Sequence, residues 1–195
     1  MRRSLIIGLG LLLLTGCEAE VVHVPPRVVS STLPESPHQR GVTAAQQTPT
    51  KTFNPADMNV KVGDEKTLEA MIAQHKGKIV FVDYWALWCH PCVEFFPHTV
   101  ETFEKYRDQG LTVIAVSFDD PAEKEHEVRR FLAEHRADFE NLISTYEAGP
   151  DAFEKFGIDL VPHFRLYDRE GKLRKKWDAE PKDLDAQIKA ILAGE

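Results

Sequence analysis

Cysteine is scarce. The 195-residue chain has three, at positions 17, 89 and 92. Only the last two stand near each other, so no framework of structural disulfides supports a fold. Positive charge is in deficit as well. Lys and Arg number 24 against 31 Asp and Glu, and the net charge of −7 argues against nucleic-acid binding and offers no basic patch for anionic lipid. No apolar run is long enough to be a permanent membrane span. Leu5 to Leu14 is almost wholly apolar, but at about 1.5 Å per residue it covers only about half of a roughly 30 Å hydrocarbon core. There is no internal repeat. There is also no second Cys-x-x-Cys, so a tetrahedral zinc centre, which needs four ligands, would find only half a site in Cys89 and Cys92.

The N-terminus reads as an export signal rather than fold material. Met1-Arg2-Arg3 is a positive n-region and the apolar run behind it an h-region. Leu14-Thr15-Gly16-Cys17 resembles the lipobox of bacterial lipoproteins, which implies cleavage before Cys17 and a diacylglycerol on its sulfur. The blander reading is a plain signal peptide or short anchor in which Cys17 has no role. Glu18, rather than Asp, follows the cysteine and leans weakly toward an outer-membrane destination. From Glu18 to about Asn54 the chain is rich in Pro, Ser, Thr and Gln without a helix or strand period, the composition of a flexible tether. Its reach is about 35 Å. The expected division is a signal peptide over 1–16, a lipidated cysteine and tether over 17–54, and a folded domain over 55–195.

That last region alternates helix and strand signals. Asp64 caps a helix with Leu68, Met71 and Ile72 on one face, ending near Gly77. Ile79 to Trp85 and Leu111 to Phe118 are near-continuous apolar runs of strand length. The spacing predicts helices from Cys89 past Pro97 to about Asp108, over Glu123 to His135, around Asp151 to Phe156, and over Leu184 to Leu192. A short strand is expected near Asn141 to Ser144. Phe164 to Asp168 and Leu173 to Trp177 flank Arg169-Glu170-Gly171-Lys172 as a hairpin. Alternating elements closed by an antiparallel hairpin predict an α/β fold, a three-layer sandwich with a mixed sheet and helices on both faces.

Trp85-Ala86-Leu87-Trp88-Cys89-His90-Pro91-Cys92 lies where the first buried strand ends and a helix begins. Unpaired N–H groups and the positive end of the helix dipole favour a thiolate at Cys89. With Cys92 as neighbour, that is the minimum equipment for thiol–disulfide exchange, Cys89 attacking first and Cys92 resolving the mixed disulfide. Pro91 presets φ at the helix start and gives up an N–H that has no helical partner there. A protonated His90 would stabilise the Cys89 thiolate, or its ring points to solvent. Asp83 stands among apolar strand neighbours, where a carboxylate is costly to ionise. It is either a proton acceptor of raised pKa or a satisfied core polar group.

Val82-Asp83-Tyr84-Trp85-Ala86-Leu87-Trp88-Cys89-His90-Pro91-Cys92 resembles the active-site stretch of the thioredoxin superfamily. Pro97 falls where that fold kinks its long helix. Phe156-Gly157-Ile158-Asp159-Leu160-Val161-Pro162 resembles the segment carrying its cis-proline, and Tyr167 to Leu173 resembles its terminal hairpin. The helix and strand between Pro121 and Ser144 form a block that plain thioredoxin lacks, which makes the chain similar to the TlpA, ResA and cytochrome c maturation branch of the envelope. The resemblance implies that Asp83 lies below the resolving cysteine and takes the Cys92 proton. It implies that Pro162 is cis and that Trp88, His90, Val161 and Pro162 border the substrate groove, with the Val161 backbone pairing with a client strand. Two positions depart from the pattern. Phe95 holds the place where that branch often has Glu, and Ala115 the place where thioredoxin has a lysine near its buried aspartate. His163, next to Pro162, could meet substrate, metal or solvent.

The expectation is a membrane-anchored thiol–disulfide oxidoreductase acting on cysteines of envelope proteins, with no cofactor. The resemblance implies a reductive direction, fed by a membrane electron donor. Oxidase or isomerase work by the same exchange is one alternative. A Cu(I)-binding module, built from Cys89, Cys92 and either His90 or His163, is another. A redox-inert scaffold domain is a third.

Overall fold

The computed structural model describes residues 53–194. The elements are β1 (Val60–Gly63), α1 (Glu65–Gln74), β2 (Ile79–Trp85), α2 (His90–Tyr106), β3 (Leu111–Ser117), α3 (Pro121–Glu134), β4 (Glu140–Ser144), α4 (Pro150–Phe156), β5 (His163–Tyr167), β6 (Leu173–Trp177) and α5 (Leu184–Ala193). The signal peptide, Cys17 and nearly all of the expected tether lie outside the described residues. Among those residues no helix is long and apolar enough to cross a membrane.

The two apolar runs pair with each other. β2 and β3 are parallel from Ile79↔Leu111 to Trp85↔Ser117, and every residue of both is buried. Such burial on both faces is why these strands lack an in–out alternation. The described residues form one mixed sheet in the order β1-β4-β3-β2-β5-β6, with β5 and β6 antiparallel to their neighbours. The α3–β4 block therefore places its strand between β1 and β3. Trp85 packs at a tilt against Phe96 of α2 and stacks on Phe131 of α3, each at 4.8 Å between ring centroids. Tyr84 points to the opposite face and meets Phe156 of α4 edge-on at 6.5 Å. Helices thus cover both sides of the sheet.

Local chemistry sets the ends of these elements. Asp64 accepts from the Thr67 N–H at 2.9 Å and Thr67 Oγ accepts from the Asp64 N–H at 3.3 Å, a capping box that starts α1. Pro121 occupies the first turn of α3 behind the Asp120 cap, so that helix starts two residues before its expected position. Gly157 ends α4 at φ +64°, a left-handed conformation that a side chain resists. β1 was not among the expected strands. Its three-residue alternation, Val60-Lys61-Val62, is too short to register as a period, and its pairing with β4 defines it.

Phe96 has no exposed surface and touches Trp85, Phe131 and Phe139. Phe96→Ala is expected to lower unfolding free energy by about 3–5 kcal/mol, read from urea denaturation. A loss below about 1 kcal/mol would show that this aromatic cluster does not hold α2 and α3 on the sheet.

Candidate active site

β2 delivers the chain to the site. Beyond Trp85, the Ala86-Leu87-Trp88 loop turns so that the Cys89 N–H donates to the Ala86 carbonyl at 3.1 Å. Cys89 is the N-cap of α2, in extended backbone, and its carbonyl accepts the first helical bond from the Val93 N–H at 3.1 Å. Its side chain makes no capping bond, so the sulfur is left for other chemistry. Cys89 and Cys92 are joined as a disulfide with Cα atoms 5.2 Å apart, and their exposures are only 5% and 2%. Trp88 beside them is 56% exposed, one of four large apolar side chains in the described residues left open to solvent. Leu160 is another, just ahead of the proline loop.

The antiparallel register Tyr84↔His163 brings the start of β5 beside the end of β2. The Val161–Pro162 peptide, which immediately precedes β5, is cis. Val161 is half-buried against the core. Pro162 and Phe164 line a cleft of about 460 Å³ together with Pro91, Glu94 and Phe95 of α2 and residues 178–180 beyond β6. The expected groove residues do not all share this cleft. Pro162 lines it, whereas Trp88, His90 and Val161 are not part of its wall. The His90 imidazole lies 3.3 Å from the Glu94 carboxylate in an exposed pair, a contact of the kind that contributes about 0–1 kcal/mol.

Asp83 is buried on the α2 face of β2. It accepts a hydrogen bond of 2.6 Å from the Thr99 hydroxyl. Thr99 sits seven residues after Cys92, two helical turns along the same inward face of α2. Burial pushes the carboxyl from its ordinary 3.8 up to about 7, and the Thr99 bond offsets part of that rise. Its strand neighbour across the ladder is Ala115, so no lysine ammonium opposes the desolvation.

Two polar groups at the site escaped the sequence pattern. Asp119, just past β3, is buried and accepts both the Leu87 N–H at 2.9 Å and the Ser117 hydroxyl at 2.8 Å. It thereby fixes the loop that carries Trp88 and Cys89. Burial raises its pKa against the pull of those two donors. The signal available was an acid at the end of a buried strand adjacent to the one that leads into Cys89. For Thr99 the signal that could have found it was its seven-residue spacing from Cys92. The third departure is His163, which is neither exposed nor free for metal. It is buried, and its Nδ1 and Nε2 face Asp178 at 2.7 Å and the Arg165 Nε at 3.2 Å.

A two-cysteine couple at a helix N-terminus, a cis-proline beside it and a buried carboxylate on the supporting strand define a thiol–disulfide oxidoreductase on a thioredoxin-like fold. Known proteins agree. A family model described as thioredoxin-like matches residues 77–173. The thiol-disulfide oxidoreductase ResA of Bacillus thuringiensis is 27% identical over 135 residues, covering 68% of this chain and 75% of that protein. A crystal structure described as the thiol:disulfide interchange protein DsbE of Chlorobium tepidum is 30% identical, with a TM-score of 0.53 over 62% of this chain and 84% of that one. The thioredoxin domain of a thiol-disulfide oxidoreductase of Bacteroides vulgatus is 27% identical, with a TM-score of 0.52, and the match covers 62% of this chain and 83% of that domain. The chain belongs to the thioredoxin-like family, and its enzymatic class is thiol:disulfide oxidoreductase.

The raised Asp83 pKa has a consequence for stability. Between about pH 4 and 7 the folded state keeps a proton that the unfolded chain has lost, so this group's contribution falls as pH rises through that window. The slope reaches at most about 1.4 kcal/mol per pH unit, and the loss is complete above the folded pKa. Urea titrations across the window should show Asp83→Asn gaining on the parent protein up to about pH 7 and holding its lead beyond. Parallel pH profiles for the two proteins would place the Asp83 pKa near its ordinary value.

Proposed function

We propose that the protein is a lipid-anchored reductant of disulfides in envelope proteins, with Cys89 as nucleophile, Cys92 as resolving thiol and Asp83 as proton acceptor. The observation that carries this reading is the disulfide at the first turn of α2, set between exposed Trp88 and the cleft lined by Pro91 and Pro162.

The reaction starts from the dithiol. The Cys89 thiolate attacks one sulfur of a client disulfide, forming a mixed disulfide and releasing the first client thiolate. Ionised Asp83 draws the proton from Cys92, through water where direct reach is lacking. The Cys92 thiolate then attacks the Cys89 sulfur, closing the Cys89–Cys92 bond and releasing the second client thiolate. Two electrons pass to the client, and a membrane electron donor restores the dithiol. A carboxyl poised near pH 7 suits a group that must take and return one proton per cycle. Trp88, His90, Val161 and Pro162 form the client-facing surface. The Val161 backbone, just ahead of the cis-proline, would pair with an extended strand of the client.

The anchoring reading rests on the sequence, from the Met1-Arg2-Arg3 charge cluster to Cys17. Two or three acyl chains would hold the protein at the membrane, since each buried CH₂ contributes about 0.8 kcal/mol. The domain then works in the envelope on clients such as apocytochrome c cysteines. The Cu(I) reading gains nothing from His163, both of whose ring nitrogens already face protein groups.

Cys92→Ala, expressed in the native envelope, is expected to accumulate client proteins bound to Cys89 through dithiothreitol-sensitive bonds. Cys89→Ser should trap nothing and lose insulin reduction by at least about 1,000-fold. A Cys92→Ala protein that traps nothing, beside a parent protein that copurifies with copper, would replace this reading with the metal carrier. For the anchor, metabolic labelling with a radioactive fatty acid should mark the parent chain and leave Cys17→Ser unlabelled and released from membranes. Label in both would remove lipidation at Cys17.

A further inference from the structure

His163 braces one wall of the cleft from behind. That wall includes cis-Pro162, the residue before it in the chain. Beside Pro162 runs the 178–180 segment that follows β6: Phe164 pairs with Trp177 in the β5–β6 ladder, and Asp178 bonds to His163 at 2.7 Å. The two partners live in different environments, the His163 side chain being 2% exposed and the Asp178 side chain 60%. The bond therefore runs from the interior to the cleft rim.

The imidazole has little freedom. Arg165 Nε donates to His163 Nε2 at 3.2 Å, so that nitrogen must accept and Nδ1 must carry the proton given to Asp178. Arg165 is itself held by the Phe156 carbonyl at 3.0 Å and lies over the Tyr84 ring at 5.2 Å. The Tyr84 ring also meets the His163 ring edge-on at 5.3 Å. Burial lowers the His163 pKa, which keeps the ring in the neutral, single-donor form that this chain of bonds requires. Tautomer and orientation are both imposed by the interior.

We propose that His163 is a positioning residue for client binding: it clasps the 178–180 segment to the strand behind Pro162 and so sets the width of the cleft and the direction of the Asp178 carboxylate within it. This rests on the redox reading above and adds the determinant of which polypeptides enter. A client segment longer than the disulfide itself must run along the wall that Pro162 and the 178–180 segment form beside α2, whereas a small disulfide needs only the sulfur. The clasp thus selects polypeptide over small-molecule disulfides.

The test compares His163→Phe, which keeps a buried ring and removes both nitrogens, with His163→Asn, whose amide N–H stands near the place of Nδ1. In the full-length protein, His163→Phe is expected to raise KM for insulin reduction about fivefold with kcat changed less than twofold. The loss with oxidised glutathione should be smaller by at least about threefold, and His163→Asn should recover most of the KM. Amide hydrogen exchange over 178–180 should accelerate in His163→Phe. Asp178→Ala breaks the same bond from its exposed end, without touching the core, and should give the same KM; the double variant should add little. An unchanged KM in His163→Phe and Asp178→Ala, with a parent protein active on insulin, overturns the clasp alone. So does an equal loss on both disulfides. A parent protein inert toward insulin and glutathione disulfide alike removes the redox reading, and the clasp's role falls with it. The exchange data separate the two cases, because they report the bond without any turnover.

Discussion

The parallel pairing of β2 with β3 is the constraint on which the rest of the molecule depends. Seven consecutive residues on each strand are buried, so this ladder fixes the centre of the sheet and both helical layers at once. It also fixes where β2 ends, and the redox cysteines lie four and seven residues further along the chain. A one-residue slip would exchange Asp83 and Trp85 with Tyr84 across the sheet, separating the acid from Thr99 and the indole from Phe96 and Phe131. Register and site are therefore one specification.

Three of the polar groups buried in this apolar frame stand near the end of β2. Asp83 is held by a single hydroxyl from α2, and burial leaves it balanced near neutrality. Asp119 receives a backbone N–H and a hydroxyl, and it holds the segment ahead of Cys89 in place. His163 is bonded at both nitrogens. Buried polar groups are costly unless paired, so each of these bonds also narrows the conformations open to the loop it touches. The scaffold presents the cysteines from a helix start whose approach is fixed on both sides. Flexibility near the sulfurs would weaken the geometry that exchange requires.

The two departures from the thioredoxin pattern take on meaning together. Where thioredoxin has a lysine beside its buried acid, Ala115 leaves Asp83 with a neutral hydroxyl donor only. A cation there would favour the ionised carboxylate; without it, desolvation dominates and the carboxyl stays protonated to higher pH. Phe95 replaces the acid expected after the second cysteine and packs edge-on against Phe164 at 4.9 Å, giving the cleft an apolar floor. The carboxylates at the cleft, Glu94, Asp178 and Glu180, instead stand where solvent reaches them. Charge has been moved from the floor to the rim.

Most of the architecture was legible in the chain, because it follows from local rules: apolar runs of strand length, an Asp64 cap, amphipathic spacing and the punctuation of Pro and Gly. The Cys-x-x-Cys at a strand-to-helix junction likewise announced its chemistry without reference to anything distant. β1 was missed because four residues cannot display a period, and only the neighbouring β4 makes them a strand. Asp83 was visible as an anomaly, but the hydroxyl of Thr99 that answers it comes from another element. Asp119 stood out only as an acid at the end of a buried strand, and its bond to Leu87, like the His163–Asp178 bond, joins residues 15 to 32 positions apart whose meeting depends on strand order and loop path. Sequence determined which residues form elements and which sulfurs react, since periodicity and chemical identity are properties of neighbours along the chain. Tertiary structure alone decided who bonds to whom across those elements, because burial and contact arise only when the sheet and its helices come together.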